Sequence, residues 1–244
     1  MALDKDSNGY TFGFAIALVV VVGTSLSLIS MGLKPLQDKN DEVKKKLDIL
    51  SAMMNIDSLN IDRSNAAEEF DKYLDINDAI VLDINGKVKP GVKAFDVDIK
   101  KEYKDKKLAE ADKSFPLFIA QQDGKAVYVI PVVGKGLWGP IWGNICIGED
   151  KKTIIGASFG HKGETPGLGA EISQSFFIDR WIGEEISDEN GQPVKFEIAK
   201  DGSGSEMLSK VDGITGGTIT SKGVEEMINR GMGVYIEYFK NMKK

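Results

Sequence analysis

Between positions 7 and 33 no residue carries a charge. The centre of that run, 12–31, contains Phe14-Ala15-Ile16-Ala17-Leu18-Val19-Val20-Val21-Val22. A helix of about 20 apolar residues crosses a bilayer at ~1.5 Å per residue. A chain that opens this way commits its first helix to a membrane, and the rest must fold outside it. A cleaved signal peptide fits poorly, because the apolar stretch is too long and no small-residue cleavage site closes it. Gly23 and Ser27 stand one helical turn apart among Thr24, Ser25 and Ser30, so a partner helix is expected to approach closely. The charges that flank the span point the large domain toward the cytoplasm. Lys5 stands beside Asp4 and Asp6 before it, whereas Lys34, Lys39, Lys44, Lys45 and Lys46 follow it.

Composition narrows the chemistry. The 244 residues carry 31 Lys and Arg against 37 Asp and Glu, a net charge of −6, which argues against nucleic acid as a partner. One cysteine, Cys146, excludes an internal disulfide and any CxxC metal site, and one histidine, His161, excludes His-rich sites and a haem with two His ligands. We therefore assign no metal ligand and no catalytic side chain. Any redox work falls to an organic cofactor.

After the span, 37–54 reads as a helix with Val43, Leu47, Leu50 and Met54 on one face. A polar connection over 55–63 leads to a short helix capped by Ser64, with Glu68 and Glu69 in its early turns. Asn85-Gly86 turns a hairpin between 79–83 and 87–89. The charged stretch 100–113 reads as a solvated helix or loop. Hairpins follow around Gln122-Asp123-Gly124 and around Glu149-Asp150-Lys151, then a short helix over 174–181 and a strand over 194–199. A closing helix over 221–239 carries an apolar stripe of Val224, Met227, Ile228, Tyr235 and Phe239. The order predicts an α+β fold with an antiparallel sheet.

Three segments have the make-up of a binding site. Asp212-Gly213-Ile214-Thr215-Gly216-Gly217-Thr218-Ile219-Thr220-Ser221 brings two glycines and several hydroxyls to the start of the last helix, with Ser221 as N-cap. A phosphate there would meet free amides and the favourable end of the helix dipole. It is not a P-loop, and read alone it is more simply an ordinary Gly-Gly turn before a Ser-capped helix. Gly160-His161-Lys162-Gly163-Glu164-Thr165-Pro166-Gly167-Leu168-Gly169-Ala170 is too rich in glycine for regular structure and reads either as a surface turn or as a wrap for a planar ligand. Gly136-Leu137-Trp138-Gly139-Pro140-Ile141-Trp142-Gly143 offers two indoles for stacking or for core packing. Cys146 reads as a buried small hydrophobe rather than a redox thiol.

Taken together, these segments resemble the NqrC family, the C subunit of the Na+-translocating NADH:quinone reductase. Gly32-Leu33-Lys34-Pro35-Leu36-Gln37 at the end of the span, Gly136-Leu137-Trp138-Gly139-Pro140 and Glu164-Thr165-Pro166-Gly167-Leu168-Gly169-Ala170 match that family's motifs. Thr215-Gly216-Gly217-Thr218 resembles its flavinylation core, with Gly217 where alanine is usual. The resemblance implies FMN attached covalently to Thr218 by a dedicated flavin transferase that uses FAD, with Thr215 as runner-up acceptor. Gly216, Gly217, Thr220 and Ser221 would surround the phosphate. Glu164, Thr165, Gly167, Leu168, Gly169, Leu137 and Trp138 would lie against the isoalloxazine ring. It also implies a single-electron relay among the other subunits of the membrane complex. The expected organisation is a cytoplasmic N-terminus over 1–9, a transmembrane helix over 10–33, a membrane-proximal region over 34–115 and an antiparallel-sheet FMN-binding domain with flanking helices over 116–244. The chain would sit in the bacterial inner membrane with its flavin domain on the periplasmic side, against the lysine count. Two other readings are the G subunit of the related Rnf complex and an anchored binding module without redox function. A periplasmic flavin lipoprotein lacks its lipid-accepting cysteine here.

Overall fold

The structure, a computed structural model, describes residues 7–200, 202–204 and 208–242. Asp4, Lys5 and Asp6, which enter the charge comparison above, lie outside the described residues. The chain divides into two compact units, Met1–Lys45 and Lys46–Lys244.

From Asn8 on, the first unit is helical, and the helix, α1, is Asn8–Met53. Its apolar side chains, Phe12, Phe14, Ile16, Leu18, Val19 and Val20 among them, are exposed, and the helix has the length and composition to cross a membrane. The sequence predicts two helices here, but α1 runs unbroken through Pro35. Proline removes one intrahelical hydrogen bond. The good helix formers around it, with the Lys34–Asp38 pair at 2.7 Å, carry the helix across.

In the second unit the end of α1 packs into a core. Ile49, Leu50, Ala52 and Met53 are buried, one step around the helix from part of the stripe that the sequence predicts. The short helix α2 is Ala66–Tyr73. Ser64 does not cap it: its amide and hydroxyl donate to Asp62 Oδ1, and Asn65 takes the cap position. Strand β1, Ile80–Leu82, and helix α3, Ile99–Lys104, follow. The predicted hairpin over 79–89 is mostly a turn, because 87–89 contributes one bridge, Leu82 to Val88.

Strands β2 (Phe115–Gln122), β3 (Lys125–Lys135), β4 (Pro140–Ile147) and β5 (Ile154–His161) continue the sheet. Among the described residues, five strands make one antiparallel sheet in the order β1-β2-β3-β4-β5. Both faces are covered, so the strands are apolar on both sides rather than alternating. Tyr128, Ile130, Val132, Ile141, Ile145 and Phe159 face one core. Val127, Val129, Phe118 and Cys146 face the other, beneath α1 and α2.

Helix α4, Ser175–Ile178, and a 3-10 turn at Asp179–Trp181 close the end of the first core. Strand β6 is Glu197–Ala199, shorter than predicted, and β7, Lys210–Asp212, is an addition to the sequence reading. The two pair in parallel, apart from the main sheet. The closing helix α5 is Thr218–Met242. All five predicted stripe residues, Val224, Met227, Ile228, Tyr235 and Phe239, are buried against the sheet. Each such side chain contributes roughly 1.5–3 kcal/mol. That packing fixes where the first turn of α5 stands.

Candidate functional site

Three stretches meet at that first turn. The β3–β4 turn is one. Gly136 N donates to Gly139 O at 2.8 Å, which closes the hairpin and pushes Leu137 and Trp138 out at its tip. They are 48% and 67% exposed, a large apolar surface for a turn. Trp142 does not join them. It lies across the sheet opposite Val133 and Gly160, with Lys100 Nζ 3.5 Å from the centre of its ring.

The second stretch follows β5. Lys162 N donates to Pro140 O and extends the ladder past His161. Glu164 then turns inward and is buried, and its amide donates to His161 Nδ1 at 3.1 Å. Thr165 and Gly167 are exposed on the loop. Thr165 O accepts from Leu168 N and Ala170 N, each at 3.1 Å, and Gly167 N donates to Glu171 Oε1 at 2.7 Å. These bonds hold Leu168 out toward solvent and turn Gly169 inward.

The third stretch joins β7 to α5. Gly217 N donates to Ile214 O at 2.9 Å, which puts Thr215 and Gly216 at the corner of a turn. Gly216 has φ +75°, the left-handed region that a glycine supplies without strain. Helix α5 opens at Thr218, not at Ser221 as the sequence predicts. The reason is that Gly217 takes the N-cap place, and the first intrahelical bond runs from Ser221 N to Gly217 O. Ser221 is fully buried in the first turn, donating its hydroxyl to Gly217 O and accepting from Ile214 N. The amides of Thr218, Ile219 and Thr220 precede the first intrahelical bond and stand at the positive end of the helix dipole. Thr218 is half-buried and Thr215 exposed.

Side-chain bonds join the three. Glu164 Oε1 accepts from Trp138 N at 2.8 Å, and Oε2 accepts from Thr220 Oγ1 at 2.6 Å. A side chain on Gly169 would stand 2.4 Å from Thr220 Oγ1 and 2.6 Å from Glu164 Oε2. A side chain on Gly216 would stand 2.6 Å from Leu168 Cδ2, and one on Gly217 2.9 Å from Leu168 O. Burial works to raise the Glu164 carboxyl pKa. The Thr220 hydroxyl and the amides of Trp138, Leu137 and Gly139 outweigh it and hold the group below the usual glutamate range.

The expected residues thus fall into two sets. Leu137, Trp138, Thr165, Gly167, Leu168, Thr215, Gly216 and Thr218 present surface. Glu164, Gly169, Gly217, Thr220 and Ser221 are buried behind it and face protein. Sequence reasoning misses Ile219, 60% exposed in the first turn of α5, where an apolar residue among hydroxyls is the available signal. It also misses Arg180, whose Nη1 donates to Asp212 O at 2.7 Å and Gly213 O at 3.1 Å, and nothing in the local pattern marks that contact.

A family model described as an FMN-binding domain matches residues 136–233, which takes in all three stretches. The C subunit of the Na(+)-translocating NADH-quinone reductase of Vibrio parahaemolyticus is 27% identical to this chain over 241 residues, 92% of this chain and 90% of that protein. The protein of the same name from Neisseria meningitidis serogroup B is 28% identical over 251 residues, 98% and 96% of the two chains. The crystal structure of its counterpart from Parabacteroides distasonis is similar at 35% identity and a TM-score of 0.73, covering 84% of this chain and 96% of that one. The Shewanella oneidensis NqrC structure, 24% identical with a TM-score of 0.68, shares the fold. By that 35% identity over nearly the whole of a solved relative, the chain belongs to the NqrC family, the C subunit of the Na+-translocating NADH-quinone reductase.

Proposed function

We propose that this chain carries one FMN, bound by a phosphoester to Thr218, and relays single electrons between other subunits of a Na+-translocating NADH:quinone reductase. The observation that carries the reading is the placement of Thr218. It opens a long helix whose first three amides precede the intrahelical ladder, in a turn that Glu164 ties to the exposed Leu137-Trp138 tip and that approaches exposed Leu168 at Gly216 and Gly217. A singly charged phosphodiester suits the first feature and an aromatic ring suits the second, so the residues present fit FMN.

Bound FMN would supply one-electron transfer at its ring. The protein supplies the rest. The amides of Thr218, Ile219 and Thr220 would hold the phosphate, and Gly216 and Gly217 leave it room. Leu137, Trp138 and Leu168 would exclude water from one side of the ring. Glu164, Gly169 and Thr220 fix these parts from behind. Attachment by the flavin transferase forms the bond from Thr218 Oγ1 to the FMN phosphorus of FAD and breaks the pyrophosphate. AMP leaves and the hydroxyl proton is released. Thr215, on the exposed corner, is the second candidate acceptor.

We assign 1–9 to the cytoplasm, 10–33 to the inner-membrane span, 34–115 to a membrane-proximal region and 116–244 to the flavin domain on the periplasmic side. Neighbouring membrane subunits would donate and accept the electrons.

The test is the intact mass of the denatured full chain, co-produced with its flavin transferase, beside Thr218→Ala and Thr215→Ala. We expect wild type and Thr215→Ala to gain one FMN less water and Thr218→Ala to gain nothing. A gain lost only in Thr215→Ala would move the attachment point. No gain in any chain, with the transferase shown active on another substrate, would leave an anchored binding module as the account.

A further inference from the structure

Glu164 is an ion buried without a counter-ion. It is 4% exposed, and no ion pair to it occurs among the described residues. Its partners are neutral: Trp138 N and Thr220 Oγ1, with the Leu137 and Gly139 amides turned toward it. The surrounding chain leaves space for it at two glycines, since a side chain on Gly136 or Gly169 would come within 2.6 Å of its oxygens. Burying an isolated carboxylate costs several kcal/mol unless hydrogen bonds replace its water. A neutral glutamine of the same shape can accept from the Trp138 amide and donate to the Thr220 hydroxyl. Tying the three stretches together therefore needs the shape of the side chain but not its charge.

The charge has a specific location. Thr220 lies two residues beyond Thr218 in the first turn of α5, and Trp138 belongs to the exposed apolar wall. The carboxylate bonds to both. We infer that Glu164 is a positioning residue whose fixed negative charge lowers the reduction potential of the flavin at this site. The inference rests on the proposed attachment at Thr218. An electron arriving on the ring adds negative charge, and a like charge held in a poorly screened interior opposes it. The amides at the head of α5 pull the other way. Glu164 offsets them, so a site built to bind an anion does not also make the ring easy to reduce.

The experiment uses the full chain co-produced with its transferase as wild type, Glu164→Gln, Glu164→Asp and Thr220→Val. Intact mass establishes the attachment in each, and a spectroelectrochemical titration at pH 8 gives the midpoint potential of the bound flavin. Glu164→Gln is expected to titrate at a higher potential, with the reduced-to-oxidised ratio at the wild-type midpoint up roughly tenfold, the scale of one unit charge at intermediate dielectric. Glu164→Asp keeps the charge and is expected to stay near wild type. Thr220→Val strips a donor from the charge, strengthens its field and is expected to titrate below wild type. A loaded Glu164→Gln chain with an unchanged or lower potential overturns the inference and leaves the attachment intact. If Glu164→Gln does not fold or load, Thr220→Val decides, and a potential at or above wild type overturns the inference. A wild-type chain without FMN in the presence of active transferase removes the attachment, and the inference with it.

Discussion

Thr220 and Thr218 are two residues apart and face opposite ways. Thr220 is 1% exposed and spends its hydroxyl on Glu164, while Thr218 is half-buried at the head of the helix. Replacing Thr220 by valine keeps the volume but leaves the Glu164 carboxylate short of one donor. Such a loss costs about 1–3 kcal/mol. It also has a pH signature. The Glu164 carboxyl is held below its ordinary range, so its contribution is fully present above the unfolded pKa of about 4.3 and is lost as pH falls through the lower folded value. Thr220→Val removes a cause of that lowering. Thermal melts of the full chain in detergent are expected to show a lower Tm at neutral pH and a smaller further loss on acidification. An unchanged Tm at pH 7 would mean that the hydroxyl contributes nothing. At this scale the sequence was readable in types but not in roles. Three threonines and a serine near paired glycines mark a site, yet which hydroxyl faces out depends on where the helix begins. The cap settles that, and Gly217 rather than Ser221 provides it. Cys146 was the easier reading: burial pushes its thiol up to about 12, which suits a packing residue.

Between elements, the end of α1 lies close against β4 and β5. Asp48 O accepts from Asn144 Nδ2 at 3.0 Å and Ser158 Oγ at 2.9 Å, in addition to Ser51 Oγ at 3.0 Å. A few residues on, Gly156 faces the helix so closely that a side chain there would sit 2.2 Å from Ala52 O. That contact is backbone against backbone, and no rotamer relieves it. Gly156→Ala is expected to destabilise the fold by about 1–3 kcal/mol, read as a lower urea midpoint, whereas an alanine at exposed Gly163 is expected to move it little. Equal effects at the two positions would mean that the helix yields freely. The hairpins were legible because Asp123-Gly124 and the 149–151 turn announce themselves. The β3–β4 turn did not, since its Gly136 and Gly139 flank two large apolar residues that read as stacking or core residues. Strand β7, and with it the parallel pairing to β6, escaped for another reason: three residues carry too few side chains for a period to emerge.

For the molecule as a whole, Met1–Lys45 and Lys46–Lys244 are separate compact units, and the second contains both hydrophobic cores. A chain starting at Lys46 therefore keeps every buried contact described for the site. It is expected to be soluble, to fold, and to retain an intact Glu164–Thr220 bond, while the full chain sediments with membranes and resists carbonate extraction. Aggregation of the shortened chain would show that the core at the end of α1 needs the preceding turns. The charge-free run ends at residue 33, whereas the boundary between the units falls at Lys45–Lys46, inside α1. The antiparallel order followed from the turn spacing, and the burial of both sheet faces did not, because that depends on what α1 and α5 cover. The three tryptophans sample this layout unequally. Trp181 is sealed among Phe159, Phe177 and Phe196, Trp142 lies half-covered beneath Lys100, and Trp138 stands in solvent on the apolar wall. Light emitted by this chain therefore separates by colour into an inner, a middle and an outer voice. The outer, reddest one belongs to the indole closest to the proposed ring, so dimming there would report the cofactor's arrival while the bluest emission still reports on the core.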